Sequence, residues 1–232
     1  MNPLVILLAA ERDLDDREFS ALLALVPPEQ RDRIGRFRSY RAAQNTLLGD
    51  IIARREISKR AGIPPEQVVF RTGGGGKPLF DGDIHFNIAH SGNVIAVVVD
   101  TQPVGIDIEL PVQKPGVPGT DTEDRITRRF FTPDERLYIN GQEGRRRERF
   151  YEVWTMKEAY GKKAGTGLVT ALQDVNVFRP PPGNFFCKLV YHDIIGHICT
   201  ARRVEPEYRT PRIWDFLGFD DRDGCICSGI YV

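Results

Sequence analysis

Asp107 and Glu109 stand two residues apart in Val104-Gly105-Ile106-Asp107-Ile108-Glu109-Leu110, a stretch that alternates apolar and small or acidic residues. Alternation of period two predicts a strand, and residues i and i+2 of a strand share one face. Two carboxylates held so close repel unless a cation lies between them. Oxygen ligands of this kind suit Mg²⁺, which commonly takes one or two carboxylates plus substrate phosphates. Taken alone, the pair also fits a strand with its polar face in water. Gly105 on the same face leaves space for a ligand to approach the backbone.

Trp154-Thr155-Met156-Lys157-Glu158-Ala159-Tyr160-Gly161-Lys162-Lys163 follows downstream on a predicted helix. Glu158 comes four residues after Trp154, which puts it on or beside the buried face. One reading makes Glu158 a third metal ligand or a base, with the lysines facing phosphate. The other makes Glu158 and Lys162 an ordinary ion pair one turn apart. Gly161 marks either a close approach or a weak point in the helix. His90, at the end of a strand before the turn signal Ser91-Gly92-Asn93, is placed to donate to a phosphate oxygen. His85, His192 and His197 have no such neighbours and read as structural.

Residues 72–78, Thr-Gly-Gly-Gly-Gly-Lys-Pro, form a glycine-rich loop. A P-loop needs Gly where Arg71 stands and Ser or Thr where Pro78 stands, so that motif is excluded, although Lys77 can still reach a phosphate. Upstream, segment 31–60 carries nine Lys or Arg against three Asp or Glu. That excess fits either a solvated helix face or an anion site.

The elements that must position these residues follow from periodicity. Residues 29–60 read as helix, broken once, with Ile34, Phe37, Leu47, Leu48, Ile51 and Ile52 at helical spacing. Strands run from Ile84 to Leu110, with Val94–Val99 buried on both faces. Three Pro and two Gly in residues 111–122 mark a loop between halves. A second helical region ends in Arg147–Ala164, and strands return at Val175–Phe178, Phe185–Tyr191, His197–Arg203 and Cys225–Val232. Each half thus runs from helix into antiparallel strands. The class is α+β, with two similar halves (1–103 and 104–232) and no residue-level repeat to prove a duplication.

The bounds agree. A chain of 232 residues with 32 basic and 32 acidic side chains has zero formal charge, which excludes a wholly basic nucleic-acid surface. Leu4–Ala10, its longest apolar run, is far too short for a membrane span. It has no Lys or Arg ahead of it and charged residues directly after it, and reads as a buried first strand rather than a signal segment. The four cysteines, with no CxxC pair, read as reduced thiols in a cytoplasmic protein.

The residues quoted above resemble the paired signature of the 4′-phosphopantetheinyl transferases, with 47 residues from Asp107 to Trp154. Gly76-Lys77-Pro78 and Phe86-Asn87-Ile88-Ala89-His90-Ser91-Gly92 resemble two further blocks of that family. The resemblance covers about residues 29–168, and the length is similar to the Sfp-type members, single chains of two like halves. It implies a pseudo-twofold fold with the active site in the cleft between a coenzyme A-contacting N-terminal half and a metal-bearing C-terminal half. The implied reaction moves the 4′-phosphopantetheine arm of coenzyme A to a serine of an apo acyl or peptidyl carrier protein.

The resemblance also implies roles. Mg²⁺ would sit between Asp107, Glu109, Glu158 and the pyrophosphate, and Glu158 would take the serine proton. Lys157 and Lys162 would steady the pyrophosphate. Lys77, Pro78, His90, Arg33 and Thr46 would contact coenzyme A. Ala89, Gln30 and Asn45 depart from the family's Ser, Lys and Arg, with Arg31, Arg38 or Arg41 nearby to compensate. The implied protein is a monomer that binds neither nucleic acid nor membrane. Competing readings are a Mg²⁺-dependent phosphohydrolase and a non-catalytic module docking through the basic helix.

Overall fold

The computed structural model describes residues 2–111, 120–165 and 175–210. Its core is two β-sheets stacked face to face, each covered outside by a long helix, which confirms the α+β class.

The first sheet has the order β4-β5-β1-β9, from His85–Ser91 (β4), Val94–Asp100 (β5), Leu4–Ala9 (β1) and Glu207–Arg209 (β9). The second has the order β6-β8-β7, from Gly105–Glu109 (β6), Ile195–Thr200 (β8) and Phe185–Leu189 (β7). A small ribbon pairs Phe70–Thr72 (β2) with Pro78–Phe80 (β3). The apolar runs explain the stacking. Leu4, Ile6 and Leu8 of β1 face one core with Ile95, Val97 and Val99 of β5. Val5, Leu7, Ala96 and Val98 face the other, against Ile106, Ile108 and Ile198 of the second sheet. A strand buried on both sides needs no polar alternation.

The first core is closed by Asp16–Leu23 (α1), Pro28–Gly35 (α2) and Tyr40–Ala61 (α3). The predicted break in the basic helix therefore falls at residues 36–39. Thr120–Phe130 (α4), Pro133–Asn140 (α5) and Arg146–Ala164 (α6) form the corresponding group in the second half. Both halves share one topology. A first strand (β1 or β6) leads through helices to a hairpin (β4–β5 or β7–β8), whose second strand pairs antiparallel with the first. α3 and α6 are thus equivalent, and each ends on a left-handed glycine, Gly62 and Gly165, both at φ 67°.

Several expectations need correction. Residues 175–178 form a turn rather than a strand, although Val175 and Val177 are buried. Strand β9 pairs parallel with β1, so the end of the second half extends the sheet of the first. Of the predicted inter-half loop, residues 112–119 lie outside the described residues, as do Cys225, Cys227 and the strand expected there. Cys187 and Cys199 are free thiols. Among the described residues no helix is long and apolar enough to cross a membrane.

Candidate active site

The cleft forms where edge strand β4 of the first sheet meets edge strand β6 of the second. Asn87 Oδ1 accepts from the Ile106 amide (2.9 Å). Ser91 donates to Glu109 Oε2 (2.9 Å) and accepts from the Leu110 amide (3.0 Å). These bonds fix β6 against β4 although the sheets stay separate.

Helix α6 lies over the outer face of β6. A Cβ added to Gly105 would come 2.1 Å from the Ala159 carbonyl oxygen and 2.5 Å from the Lys163 amide nitrogen. The space expected for a ligand at Gly105 is therefore filled by helix backbone, and the absent side chain serves helix packing. Asp107 lies in that interface, only 7% exposed, which removes the reading of a water-facing strand.

Lys162 reaches across from α6 to place its ammonium 2.6 Å from Asp107 Oδ1. Lys162 thus makes its ion pair across elements with Asp107 rather than one turn away with Glu158, whose pKa its charge still lowers. Asp107 Oδ2 is buried without a hydrogen-bond partner. Burial raises the Asp107 pKa above the usual carboxylate range, with Lys162 opposing. Burial, then the Asp107 charge, raises Glu109 despite bonds from Ser91 and Trp154. Burial, again reinforced by Asp107, pushes Glu158 up to about 7. The Asp107 charge thus raises both Glu109 and Glu158, and Glu109 adds to the rise of Glu158, which makes the three a set short of positive charge. Among the described residues, however, no three His, Cys, Asp or Glu side chains close around a single point.

The first half supplies the opposite wall. Gly74 touches the cap of α6, where a Cβ would lie 2.5 Å from the Gly165 carbonyl oxygen. Lys77 extends from this glycine loop and donates to the Val104 carbonyl (3.0 Å). Burial, reinforced by the Lys162 and Lys163 charges, lowers its pKa to about 8. A cavity of about 290 Å³ is lined by Lys77, Pro78, Glu158, Gly161 and Lys162 together with the glycine loop. A larger one, about 690 Å³, shares Gly76, Pro78 and Ile88 with it and is lined by Gln30, Arg33, Thr46 and His90. The His90 pKa is lowered by burial and then by Lys162.

The structure thus brings together Lys77, Pro78, His90, Arg33, Thr46, Glu158 and Lys162 around two adjoining cavities, with Asp107 joined to them through Lys162. Lys157 is the exception. It is fully buried, with its ammonium 3.0 Å from Glu135 Oε2 and donating to the Val175 carbonyl (2.6 Å), so it points away from both cavities. The compensating arginines also differ from expectation. Arg31 bonds the Ala24 and Val26 carbonyls, and Arg41 pairs with Asp13 (2.7 Å). Asn45 holds the β4–β5 turn through the Gly92 carbonyl (2.9 Å). The cations on the larger cavity that sequence reasoning missed are Arg54 and Arg71, beside Asp50 and Phe70. Arg54 is inside the basic segment, but its mid-helix position carried no distinguishing signal.

Comparison with known proteins adds a second line. Residues 14–102 match the family described as 4′-phosphopantetheinyl transferase, N-terminal, and residues 103–210 match the 4′-phosphopantetheinyl transferase superfamily. A 4′-phosphopantetheinyl transferase of Bacillus subtilis is 37% identical over 182 residues, covering 77% of this chain and 78% of that protein. The 4′-phosphopantetheinyl transferase Sfp of Bacillus subtilis strain 168 is 34% identical, covering 86% of each. An L-aminoadipate-semialdehyde dehydrogenase-phosphopantetheinyl transferase of Xenopus laevis is 32% identical over 65% of this chain and 53% of its own length. The chain therefore belongs to the 4′-phosphopantetheinyl transferase superfamily and is an enzyme of that transferase class.

Proposed function

We propose that this enzyme transfers the 4′-phosphopantetheine arm of coenzyme A to a serine hydroxyl of an apo acyl or peptidyl carrier protein, with Mg²⁺ bound. The serine oxygen forms a bond to the β-phosphorus of coenzyme A. The bond from that phosphorus to the bridging pyrophosphate oxygen breaks, and adenosine 3′,5′-bisphosphate leaves. The observation that carries this reading is the cleft itself, where Glu158 and Lys162 of one half face Lys77 and His90 of the other.

In this reading Glu158, which lines the smaller cavity beside Lys162 and Lys77, takes the serine proton. Lys162 and Lys77 hold the charge of the pyrophosphate. Arg33, Thr46, Pro78 and His90 contact the nucleotide portion, so residues 1–103 act as the coenzyme A-binding half and 104–232 as the catalytic half. Transfers at phosphorus are driven by alignment and charge stabilisation, which this cationic cleft can supply.

Asp107, Glu109 and Glu158 are the residues that would hold Mg²⁺. The unpartnered Asp107 Oδ2 and the mutual repulsion of the three acids fit a hard cation. When bound, the ion neutralises pyrophosphate charge. Two like halves in one chain support a monomer, and the free Cys187 and Cys199 support a cytoplasmic protein.

The test is intact mass spectrometry of an apo carrier protein incubated with the enzyme, coenzyme A and Mg²⁺. One added phosphopantetheine, absent without Mg²⁺ or with Asp107→Ala, is the expected result. Hydrolysis of coenzyme A with the carrier unmodified would overturn the reading.

A further inference from the structure

We propose that Lys157 is a positioning residue, whose buried ion pair with Glu135 sets the rotation of α6 that aims Glu158 and Lys162 at the cleft. The inference rests on the function proposed above and assigns the signature lysine a place outside the substrate site.

Lys157 and Glu135 are both 0% exposed. A buried charge is tolerated only where its partner and its remaining hydrogen-bonding positions are satisfied, and here they are. The Lys157 ammonium holds Glu135 and the Val175 carbonyl and lies 5.5 Å from the centre of the Phe131 ring. Glu135 also accepts from the Thr132 amide (2.8 Å) and the Val177 amide (2.9 Å). One pair thus ties α6 to the start of α5 and to the segment that returns the chain toward β7. Neither side chain is open to a ligand.

The first half repeats the device. Arg54 of α3 holds the Val68 carbonyl and lies 4.3 Å from the centre of the Phe70 ring, paired with Asp50. Arg54 comes seven residues before Ala61, the last of α3, and Lys157 seven before Ala164, the last of α6. Each half therefore uses a buried cation at the same helix position to bind a valine carbonyl in the segment after the helix. Arg54 also borders the larger cavity, but these contacts dock its helix, in a half that carries no WTMKEA sequence.

Helix geometry turns docking into aim. Successive residues are about 100° apart around a helix, whereas i and i+4 share a face. With Lys157 drawn to Glu135, the adjacent Glu158 and the face it shares with Lys162 must turn toward the cleft. A misplacement of about 1 Å at such groups costs orders of magnitude in rate.

The test compares Lys157→Met, Glu135→Gln and the double variant, which leaves no lone buried charge. Transfer to a carrier protein is measured well below each melting temperature, and coenzyme A affinity by calorimetry. The expected result is kcat reduced about tenfold or more in both single variants, coenzyme A affinity within twofold of wild type, and a double variant no worse than the worse single one. Loss of coenzyme A affinity in Lys157→Met, with Glu135→Gln like wild type, would overturn the inference and put Lys157 on the substrate. Wild-type kcat per folded molecule in the double variant would overturn it too. Absence of transfer by the wild-type enzyme would overturn the proposed function, and the inference with it.

Discussion

Gly105 of β6 and Ala159 of α6 are in backbone contact, with the Ala159 carbonyl oxygen 2.1 Å from where a Gly105 Cβ would lie. The strand that carries Asp107 and the helix that carries Glu158 are thus pressed together without a side chain between them. Gly105→Ala would meet backbone and not a side chain able to rotate away. Overpacking of this kind costs about 3 kcal/mol. The variant should lose that stability in a urea titration. Its transfer rate should fall at temperatures where it is still folded, because α6 is lifted from β6.

Among the described residues Lys162 is the one side-chain partner of Asp107, and the two should respond oppositely to removal. Lys162→Met leaves a buried carboxylate without its cation and should cost about 1–3 kcal/mol in the metal-free protein. Asp107→Asn removes one of three mutually repelling acids and should raise the metal-free melting temperature. Both should lower turnover by about 10²-fold. Calorimetric melting curves with and without Mg²⁺ separate the effects, since the ion should stabilise the wild type and not Asp107→Asn.

The sequence carried the strands and long helices because their signals are local. The unbroken apolar run of β5 follows from burial on two apolar faces, and the alternation of β6 from one face on the core and the other, with Gly105 and Asp107, under α6. The missed elements depend on distant partners. Strand β9, Glu-Tyr-Arg, has no strand signature and exists because β1 offers it an edge. The placement of Lys157 is illegible in sequence for a related reason: its neighbours Glu158 and Lys162 face the cleft, and Glu135, 22 residues earlier in the chain, draws it the other way. The likeness of the two halves is legible in topology and position rather than in residues, since Arg54 and Lys157 share no residue type and no sequence context.

His90 and Arg33 line the larger cavity and pair with no carboxylate among the described residues, so their donors are available to phosphate. His90→Ala and Arg33→Ala should each raise KM for coenzyme A by about tenfold, the worth of one charge-assisted hydrogen bond, with a smaller effect on kcat. Gln30→Lys, which restores a cation at that cavity, should lower KM. Steady-state kinetics with varied coenzyme A at fixed carrier protein checks all three.

His197, the cross-strand partner of Asp107, makes its own contribution to the pH dependence of stability. It is buried beneath α6, with Nδ1 2.8 Å from Thr155 Oγ1, and burial lowers its pKa to about 4 from 6.5. The unfolded chain therefore binds a proton through the window from pH 6.5 to 4 that the folded protein refuses. Stability must fall as pH falls through that window and stay level above it with respect to this group. Linkage sets the loss at about 2 kcal/mol between pH 7 and pH 5. Glu158, raised to about 7, contributes the opposite slope over much of the same window, so the test is the difference between two proteins. Urea midpoints of His197→Gln, which keeps a polar partner for Thr155 but cannot titrate, should fall less or rise more on acidification than those of the wild type, and identical pH profiles would assign no acid sensitivity to His197.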